Sequence, residues 1–512
     1  MEGSPRGGVA AAAAALALAA LVPLWVPGPL PLQDLPNHLL KVDVLRHWLA
    51  GDPQAREVFD LNLRPVPNLT CYLVLLALSP LMDLMTAARL FLSGCVLALC
   101  WATWVLVRRV NADNAAVALL APGLAYTDFL SKGFLNFVLA LPIYVMALTV
   151  LAKGRLGRRD TGWLCVLATV LYFTHGFVFL ALGGAVVGLA VLTRLPARET
   201  AVRLACLVPG AVLFAIWLRG GVGGPGVVAS APLEQSLSTS MWDALGWLFG
   251  MAWGSGFAAL WLVVLAAIVL WTLGDLVRGA AAVWSAPLSP RDALVVLAAV
   301  MMVLYFATAS LTGPHVSIRL VPLAMLAALG GLRLPPVRWC RAAVAALLVV
   351  GTLGLVARNA QAYARGGAEV AEYLRGLDVV EPGASLLPVD LDPQLAGSRV
   401  ALHAWAYYHI GRGGWGPYAH AWRSQHPVAY RALPWGPPEP FAEGWLTPET
   451  ERRAAACYDY VLVWGGHDGE SAELAKGFVP VYGNGRLRIW ANRAGVRKRP
   501  PAAVPECLAG GS

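Results

Sequence analysis

Charged residues are scarce in this sequence, at 13% of the 512 residues, whereas soluble domains average roughly 25%. Hydrophobic residues instead make up 58%. Apolar runs near the roughly 18 residues that a membrane-spanning helix needs recur from Val9 to Val356. The composition therefore predicts a polytopic α-helical membrane protein. It argues against a soluble cytosolic enzyme, a disordered chain and a disulfide-rich scaffold.

Several catalytic and metal-binding signatures are also missing. The sequence has no P-loop, no GxGxxG after a strand, no HExxH and no GxSxG, which argues against nucleotide-binding, zinc-protease and hydrolase chemistry. The eight cysteines show no CxxC and no metal-ligand spacing, and we interpret them as small apolar residues. The net charge of +9 lies mostly in short loops between apolar runs. It therefore indicates topology and predicts no nucleic-acid partner.

The basic residues predict the topology. They cluster at Arg108/Arg109, Lys153/Arg155/Arg158/Arg159, Arg194/Arg198/Arg203, Arg278/Arg291 and Arg333/Arg338/Arg341. If residues 69–84 enter the membrane without crossing it, all of these clusters fall on one side, which the positive-inside rule assigns to the cytoplasm. This predicts about eleven transmembrane helices. Residues 9–26 are either a cleaved signal peptide or the first helix, and we favour the uncleaved helix.

The chain is predicted to divide into a transmembrane domain over 1–357, an extracytoplasmic α/β domain over 358–496 and a disordered tail over 497–512. The transmembrane domain includes a first external loop over 27–68, which is long enough to suggest a function. In the second domain, strands are predicted at 385–389, 460–464 and 487–491, with a helix at 368–377. The aromatic segment 403–431 is predicted to contact the membrane surface or a sugar.

The first external loop begins with Gln33-Asp34-Leu35-Pro36-Asn37-His38. If Pro36 opens a helix, Asp34 and His38 share one face near its start. A carboxylate in this place can deprotonate an acceptor hydroxyl, so Asp34 and His38 are the predicted catalytic residues. The alternative is that Asp34 caps the helix while His38 lies at the membrane interface. Asp43 is a further acidic candidate.

Other polar residues are predicted on the same external face. Ionisable groups near membrane depth are costly and usually face a functional cavity. Lysine can neutralise a lipid phosphate, and arginine can bind phosphate oxygens through two hydrogen bonds. The candidate phosphate-binding residues are Lys132, His175, His315 and Arg319, with Asp128 and Asn136 as further candidates. Lys132 could instead extend to the interface, His175 could be a packing residue, and Arg319 could pair with a loop carboxylate.

One helix, a long external loop with an acidic start, many further helices and a C-terminal α/β domain together resemble the GT-C superfamily of integral-membrane glycosyltransferases. Shorter stretches also resemble bacterial polytopic membrane proteins of unassigned activity, namely Asp34-Leu35-Pro36-Asn37-His38, Gly133-Phe134-Leu135-Asn136-Phe137, Leu171-Tyr172-Phe173-Thr174-His175 and Arg319-Leu320-Val321-Pro322.

The GT-C resemblance implies a polyprenyl-phosphate-linked sugar donor and a catalytic acidic residue in the first external loop. By position, Asp34 would be the base that activates the acceptor. Many members have a paired acidic motif there, whereas this chain has Asp34 with Asp43 further on. Members exist with and without a divalent ion, so Mg or Mn is an open option and no cofactor is certain.

The sequence therefore predicts transfer of a sugar from such a donor, at the bilayer, to an extracytoplasmic glycan, lipid or protein acceptor. One alternative is a polymerase or ligase of surface-glycan assembly. A second is a transporter or flippase of a lipid-linked substrate, although the sequence shows no clear internal repeat and no paired broken helices. A third is a non-catalytic assembly partner, in which replacing Asp34 would have little consequence.

Overall fold

The computed structural model describes residues 5–220, 237–278, 286–312, 314–391, 399–419, 421, 423, 425–437, 447–465 and 471–509. The chain forms two compact units. The first comprises Met1–Val26 and Arg89–Ala362, and the second comprises Pro27–Ala88 and Tyr363–Ser512. The first external loop thus belongs to the same unit as the C-terminal part, whereas the sequence analysis assigns residues 27–68 to the transmembrane domain.

The first unit is helical. Its α-helices, including two that extend beyond it, are Pro5–Ala19, Val22–Trp25, Leu84–Val110, Ala121–Leu124, Asp128–Ser131, Leu135–Leu151, Arg158–Thr174, Gly176–Leu192, Ala197–Ala205, Val208–Arg219, Leu237–Phe249, Gly256–Arg278, Pro290–Thr312, Pro314–Ser317, Leu320–Leu329 and Arg338–Tyr373. Ala112–Leu120 and Gly250–Ala252 are 3₁₀ helices. Helices satisfy their backbone polar groups internally, as a chain surrounded by lipid requires.

Five helices in the described part are long and apolar enough to cross a membrane: Gly7–Trp25, Leu84–Val110, Gly256–Arg278, Pro290–Thr308 and Arg338–Val379. The pair Ala197–Ala205 and Val208–Arg219, bent by 50°, would make a sixth. Shorter apolar helices are Leu135–Leu151, Gly176–Leu192 and Leu320–Leu329. The chain is therefore a multi-pass α-helical membrane protein, and the number of eleven crossings stays a prediction.

Glycines allow close helix contacts in the first unit. A Cβ at Gly210 would lie 2.6 Å from the Phe179 ring, and one at Gly330 would lie 2.6 Å from Leu294. Small residues at such contacts are typical of helices packed within a membrane, where van der Waals contact is the main attraction between them.

The second unit contains a four-stranded sheet in the order Leu386–Asp390, Tyr460–Trp464, Leu487–Asn492 and Phe478–Gly483. The first pair is parallel and the other two are antiparallel. The first three strands lie within one residue of the predicted ones. The fourth was not predicted, because it contains Pro480, which is tolerated here at an edge strand beside a register shift.

Helices of the second unit are Leu35–Ala50, Pro53–Val58, Thr70–Leu78, Pro448–Cys457 and Ser471–Gly477, with short 3₁₀ helices at Leu374–Val379, Ala404–Tyr408, Pro501–Ala503 and Pro505–Cys507. Thr70–Leu78 has nine residues. It is about 14 Å long, whereas the hydrocarbon core of a bilayer is roughly 30 Å thick. Its length is compatible with a segment that enters the membrane without crossing it, and the topology stays a prediction.

A small antiparallel pair ties the first external loop to the C-terminal part of the same unit. Phe59–Leu61 pairs with Val428–Tyr430, and the rings of Phe59 and Tyr430 stack with centroids 5.0 Å apart. Each strand has only three residues. No periodic pattern is visible in so short a segment, so this pairing, which explains why residues 27–68 join the second unit, was not predicted.

Two expectations for the C-terminal part need correction. Cys457 and Cys507 form a disulfide rather than serving as small apolar residues. Residues 497–509, predicted as part of a disordered tail, are described and packed: the Trp435 N–H donates to the Cys507 carbonyl at 2.7 Å, and the Trp415 indole donates to the Arg499 carbonyl at 2.9 Å. A Pro-rich terminus becomes ordered when it is tied down, which composition alone does not report.

Candidate functional site

Asp34 stands immediately before the helix Leu35–Ala50, with Pro36 in the first turn as predicted. Although Asp34 occupies the capping position, its carboxylate accepts no capping hydrogen bond from the described N–H groups of that helix. Its Oδ1 atom instead lies 3.5 Å from His403 Nε2 and accepts a hydrogen bond from Gln33 Nε2 at 3.3 Å. The side chain is 20% exposed. The carboxylate is thus oriented by other groups and remains reachable.

Lys41 lies two helical turns after Asp34 and is buried. Burial lowers the pKa of its ammonium group to about 8, an effect partly offset by attraction to Asp34. A cation within reach of a carboxylate stabilises the ionised form that a general base requires. Lys41 is therefore a candidate site residue that the sequence analysis did not single out.

His38 lies beside Tyr72 and His426. Its Nδ1 atom lies 2.8 Å from the Tyr72 hydroxyl, which in turn lies 3.1 Å from His426 Nδ1. The Lys41 ammonium lies 5.8 Å from the centre of the Tyr72 ring. His403 therefore contacts Asp34 from a distant part of the chain, and His38 belongs to a network with Tyr72 and His426.

Asp43, the further acidic candidate, is buried with both carboxylate oxygens engaged. Oδ1 pairs with Arg46 at 2.6 Å, and Oδ2 accepts a hydrogen bond from the Gly411 N–H at 2.7 Å. Asp43 therefore fastens the helix to the segment that follows His403, a structural task that suits it poorly to proton transfer.

Further hydrogen bonds hold the segment that carries His403. Asn37 Nδ2 donates to the Tyr418 carbonyl at 3.1 Å, and Gln54 Oε1 accepts from the Gly414 N–H at 3.1 Å. Trp405 and Trp415, which were predicted to contact a membrane or a sugar, are at most 2% exposed. These aromatic side chains form core and do not provide a binding surface.

In the first unit, Lys132 and Asp128 lie on one turn. Asp128–Ser131 forms a short helix, and Gly133 adopts a left-handed backbone with φ of 78°, which ends it. Lys132 Nζ lies 3.0 Å from Asp128 Oδ2 and 3.7 Å from the centre of the Trp247 ring. The charge of Lys132 is therefore held by a carboxylate and by an aromatic face.

Arg319 and His175 each contact a phenylalanine ring. The Arg319 guanidinium is 5.7 Å from the centre of the Phe134 ring, and the His175 ring meets Phe137 edge-on at 5.2 Å. Arg319 also acts on His175 electrostatically. The helices Arg158–Thr174 and Gly176–Leu192 meet at His175.

Phe129 connects these residues with Lys132. Its ring centroid lies 4.3 Å from that of Phe137, 4.8 Å from that of Trp247 and 5.9 Å from that of Phe134. We call Phe129, Phe134, Phe137 and Trp247 the aromatic cluster. The structure thus gathers Lys132, His175 and Arg319 around one cluster. Asn136, which precedes Phe137 in the sequence, is buried. The side chain of His315 lies outside the described residues.

No group of three His, Cys, Asp or Glu side chains within the described ranges could hold a metal ion. Asp34 meets His403, while the oxygens of Asp43 are taken by Arg46 and Gly411. Mg or Mn stays an open option from the sequence, and the reaction proposed below has no step through a metal ion.

Solved structures resemble this chain over nearly its whole length. ArnT from Cupriavidus metallidurans in the apo state is 15% identical, with a TM-score of 0.56, over 95% of this chain and 98% of that chain. ArnT bound to undecaprenyl phosphate is 16% identical, with a TM-score of 0.52, over 96% and 99%. This chain has the GT-C fold. The predicted α-helical membrane fold with a GT-C-like layout is therefore confirmed, and the number of crossings stays a prediction.

A second GT-C structure, the arabinofuranosyltransferase AftD from Mycobacteria, is 16% identical, with a TM-score of 0.50, over 98% of this chain and 40% of that chain. No protein-family model and no curated protein sequence matches this chain. Within the GT-C fold, site residues of this chain must therefore be argued from its own geometry.

Several residues that lie near the predicted ones were not found from the sequence. Lys41 carried a signal, because Asp34, His38 and Lys41 are spaced four and three apart and share a helical face. His403, His426 and Trp247 lie 369, 354 and 115 residues from their partners Asp34, Tyr72 and Lys132, and only the folded chain brings them together.

Proposed function

We propose that this protein is a membrane glycosyltransferase that moves a sugar from a polyprenyl-phosphate-linked donor to an extracytoplasmic acceptor. The carrying observation is the match over nearly the full length of both chains with ArnT bound to undecaprenyl phosphate. The acceptor is a glycan, a lipid or a protein. The candidate base and the candidate cations described above supply the chemistry that such a transfer needs.

We propose about eleven crossings in a bacterial inner membrane. The five long helices, the bent pair, the three shorter apolar helices and Arg158–Thr174 give ten candidates, and Ala112–Leu120 with Ala121–Leu124 completes the set. We place the second unit, with its α/β sheet, outside the cytoplasm. The disulfide Cys457–Cys507 supports this placement, since such bonds persist in oxidising compartments.

In the proposed reaction, Asp34 accepts the proton of an acceptor hydroxyl as its oxygen attacks the anomeric carbon. The bond between that carbon and the donor phosphate oxygen breaks, and the phosphate leaves on its lipid carrier. His403 orients the carboxylate, and Lys41 stabilises its negative charge before the proton arrives.

Lys132 and Arg319 are assigned to the donor phosphate. Negative charge grows on the phosphate as the sugar departs, and fixed cations stabilise that charge without having to reorganise. Arginine offers two parallel N–H donors to phosphate oxygens, while lysine acts as a point charge. The aromatic cluster holds both cations in place, and His175 is assigned a hydrogen bond to the phosphate or sugar.

The test is sugar transfer in proteoliposomes from a pool of radiolabelled polyprenyl-phosphate sugars, comparing wild type with Asp34→Asn. Loss of a general base lowers turnover by about 100- to 10,000-fold. Glu57→Gln is the matched control, because it removes an exposed carboxylate from the same loop. We expect Glu57→Gln to transfer sugar at the wild-type rate.

The same vesicles distinguish transfer from transport. A flippase would move the labelled lipid between leaflets without forming a new glycosidic bond, and Asp34→Asn would leave that movement intact. Wild-type product formation that survives Asp34→Asn unchanged would remove Asp34 as the base.

A further inference from the structure

The first unit contains an open cavity of about 950 Å³ that the proposed transfer does not use. It lies where three helices end or begin: Leu84–Val110 contributes its last turns, Leu135–Leu151 the loop after it, and Pro290–Thr312 its first residues. These helix ends carry basic clusters that the predicted topology assigns to the cytoplasm.

Five basic side chains line this cavity, and no acidic side chain does. They are Arg108, Arg109, Lys153, Arg155 and Arg291. Lys153 pairs with Asp160, and Arg291 lies 3.3 Å from Asp292, a carboxylate that Arg333 shares. Within the described ranges no carboxylate forms an ion pair with Arg108, Arg109 or Arg155. The cavity therefore keeps a positive field that attracts an anion.

The loop that carries Lys153 and Arg155 is fixed in place. Buried Arg203 donates hydrogen bonds to the carbonyls of Lys153 and Gly154, the second at 3.2 Å. The Leu156 N–H lies 3.4 Å from Glu199 Oε2. On the opposite side, the Asp292 N–H donates to Ser289 Oγ at 3.2 Å, so the start of its helix is capped. Hydrogen bonds therefore hold the backbone of two of the cavity walls in place.

One wall of the cavity is apolar and continues along a helix. Trp104 and Val105 line it, and the Arg108 guanidinium lies 5.6 Å from the centre of a Trp104 ring. Trp101, one turn further into the same candidate span, is 58% exposed. Trp101, Trp104 and Arg108 are spaced three and four residues apart and therefore share one helical face. A basic pocket thus opens onto an exposed aromatic surface.

We propose that this cavity binds the phosphate head group of an anionic phospholipid, with an acyl chain running along Trp104 and Trp101. Basic pockets between transmembrane helices recognise such head groups by charge. A soluble phosphate compound would use the arginines but not the apolar wall, which is why we commit to a lipid. The proposal is independent of the transferase assignment, since it uses none of the residues given to that reaction.

The test is native mass spectrometry of the purified full chain in a neutral detergent, with phosphatidylglycerol or phosphatidylcholine titrated in. We compare wild type with Arg109→Gln/Arg155→Gln. The matched control is Arg158→Gln/Arg159→Gln, which removes two exposed charges from the same region without altering the cavity lining. We expect the first phosphatidylglycerol to bind at least tenfold more weakly to the cavity variant and equally well to the control.

A second variant tests the proposal if the first variant fails to fold. Ser289→Asp adds a negative charge to the cavity lining, and Asp is a good helix cap, so the helix start is preserved. It should weaken the same binding step. Equal loss in the control, or no preference for phosphatidylglycerol over phosphatidylcholine, would overturn the proposal. Displacement of the lipid by millimolar glycerol 1-phosphate would also overturn it, because the occupant would then be a soluble phosphate.

Discussion

Asp34 and Lys132 are both largely enclosed charged residues, yet the protein stabilises them by different means. Asp34 lies among groups that donate hydrogen bonds or carry positive charge: Gln33, His403 and Lys41. Lys132 lies against a carboxylate and a tryptophan face, and Arg319 lies against a phenylalanine face. An aromatic face attracts a cation without using its N–H donors.

This difference matches the two proposed tasks. A base needs neighbours that hold it as an anion and orient one oxygen, which His403 and Lys41 supply. A cation that receives a phosphate needs a fixed position, which the aromatic cluster supplies. Substitutions can remove the neighbours of Asp34 and the neighbours of the cations separately, so each environment yields its own predictions.

Arg319→Ala should give the largest effect on the cationic side. Removing a preorganised charge from a developing phosphate lowers turnover by about 100- to 1,000-fold. Arg319→Lys keeps the charge but loses the planar pair of donors, so it should recover only part of the rate. The measurement is kcat in the proteoliposome assay. Arg158→Ala removes an exposed arginine of the same unit. It is the control and should leave kcat unchanged.

His403→Ala should lower turnover by about tenfold or more, because the Asp34 carboxylate loses the group that orients it. His403→Gln places an amide N–H near the same position and should restore most of the rate. KM for the donor should stay unchanged in both variants, since His403 is assigned to the acceptor side. A rise in donor KM with kcat unchanged would place His403 in donor binding instead.

Lys41 gives a pH prediction. With a pKa of about 8, it is charged below that pH and neutral above it. Transfer should therefore fall by several-fold as the pH rises through about 8. Lys41→Arg should keep the rate at pH 9, and Lys41→Met should be slow at pH 7 with no inflection near 8.

Unfolding would not explain that fall in rate. The pKa of Lys41 is lower in the folded protein than the ordinary value of 10.5, so between about 8 and 10.5 the unfolded chain binds more protons. Lys41 therefore makes the fold more stable as pH rises through this window. A thermal midpoint measured at pH 7 and pH 9 checks this directly.

Trp247→Leu should have a smaller effect than the loss of Arg319. It removes the aromatic face under Lys132 but leaves Asp128 in place. A cation–π contact is worth about 0.5–2 kcal/mol, so the affinity for donor should fall by roughly two- to thirtyfold. Trp253→Leu, a tryptophan of the same unit outside the aromatic cluster, is the control. An unchanged donor affinity in Trp247→Leu would mean that Asp128 alone positions Lys132.

The sequence predicted the parts of this structure that depend on local pattern. Apolar runs predicted the helical membrane fold, short β-like runs bounded by turn residues predicted three strands, and Pro36 predicted the helix that Asp34 precedes. Contacts between distant residues carry no such pattern. The Asp34–His403 pair, the Phe59–Leu61 strand pairing and the Cys457–Cys507 bond depend on tertiary structure, and the strand with Pro480 goes against propensity. Lys41 could have been predicted, because its spacing from Asp34 and His38 places it on the same helical face.

The most direct test of the two separate roles is the dissociation constant of the labelled donor lipid, measured for Asp34→Asn and Arg319→Ala in the vesicles that report transfer. We predict that Asp34→Asn binds donor as wild type does while forming almost no product, and that Arg319→Ala binds donor more weakly. Product formation by Asp34→Asn at the wild-type rate, or an equal loss of donor affinity in both variants, would contradict the account.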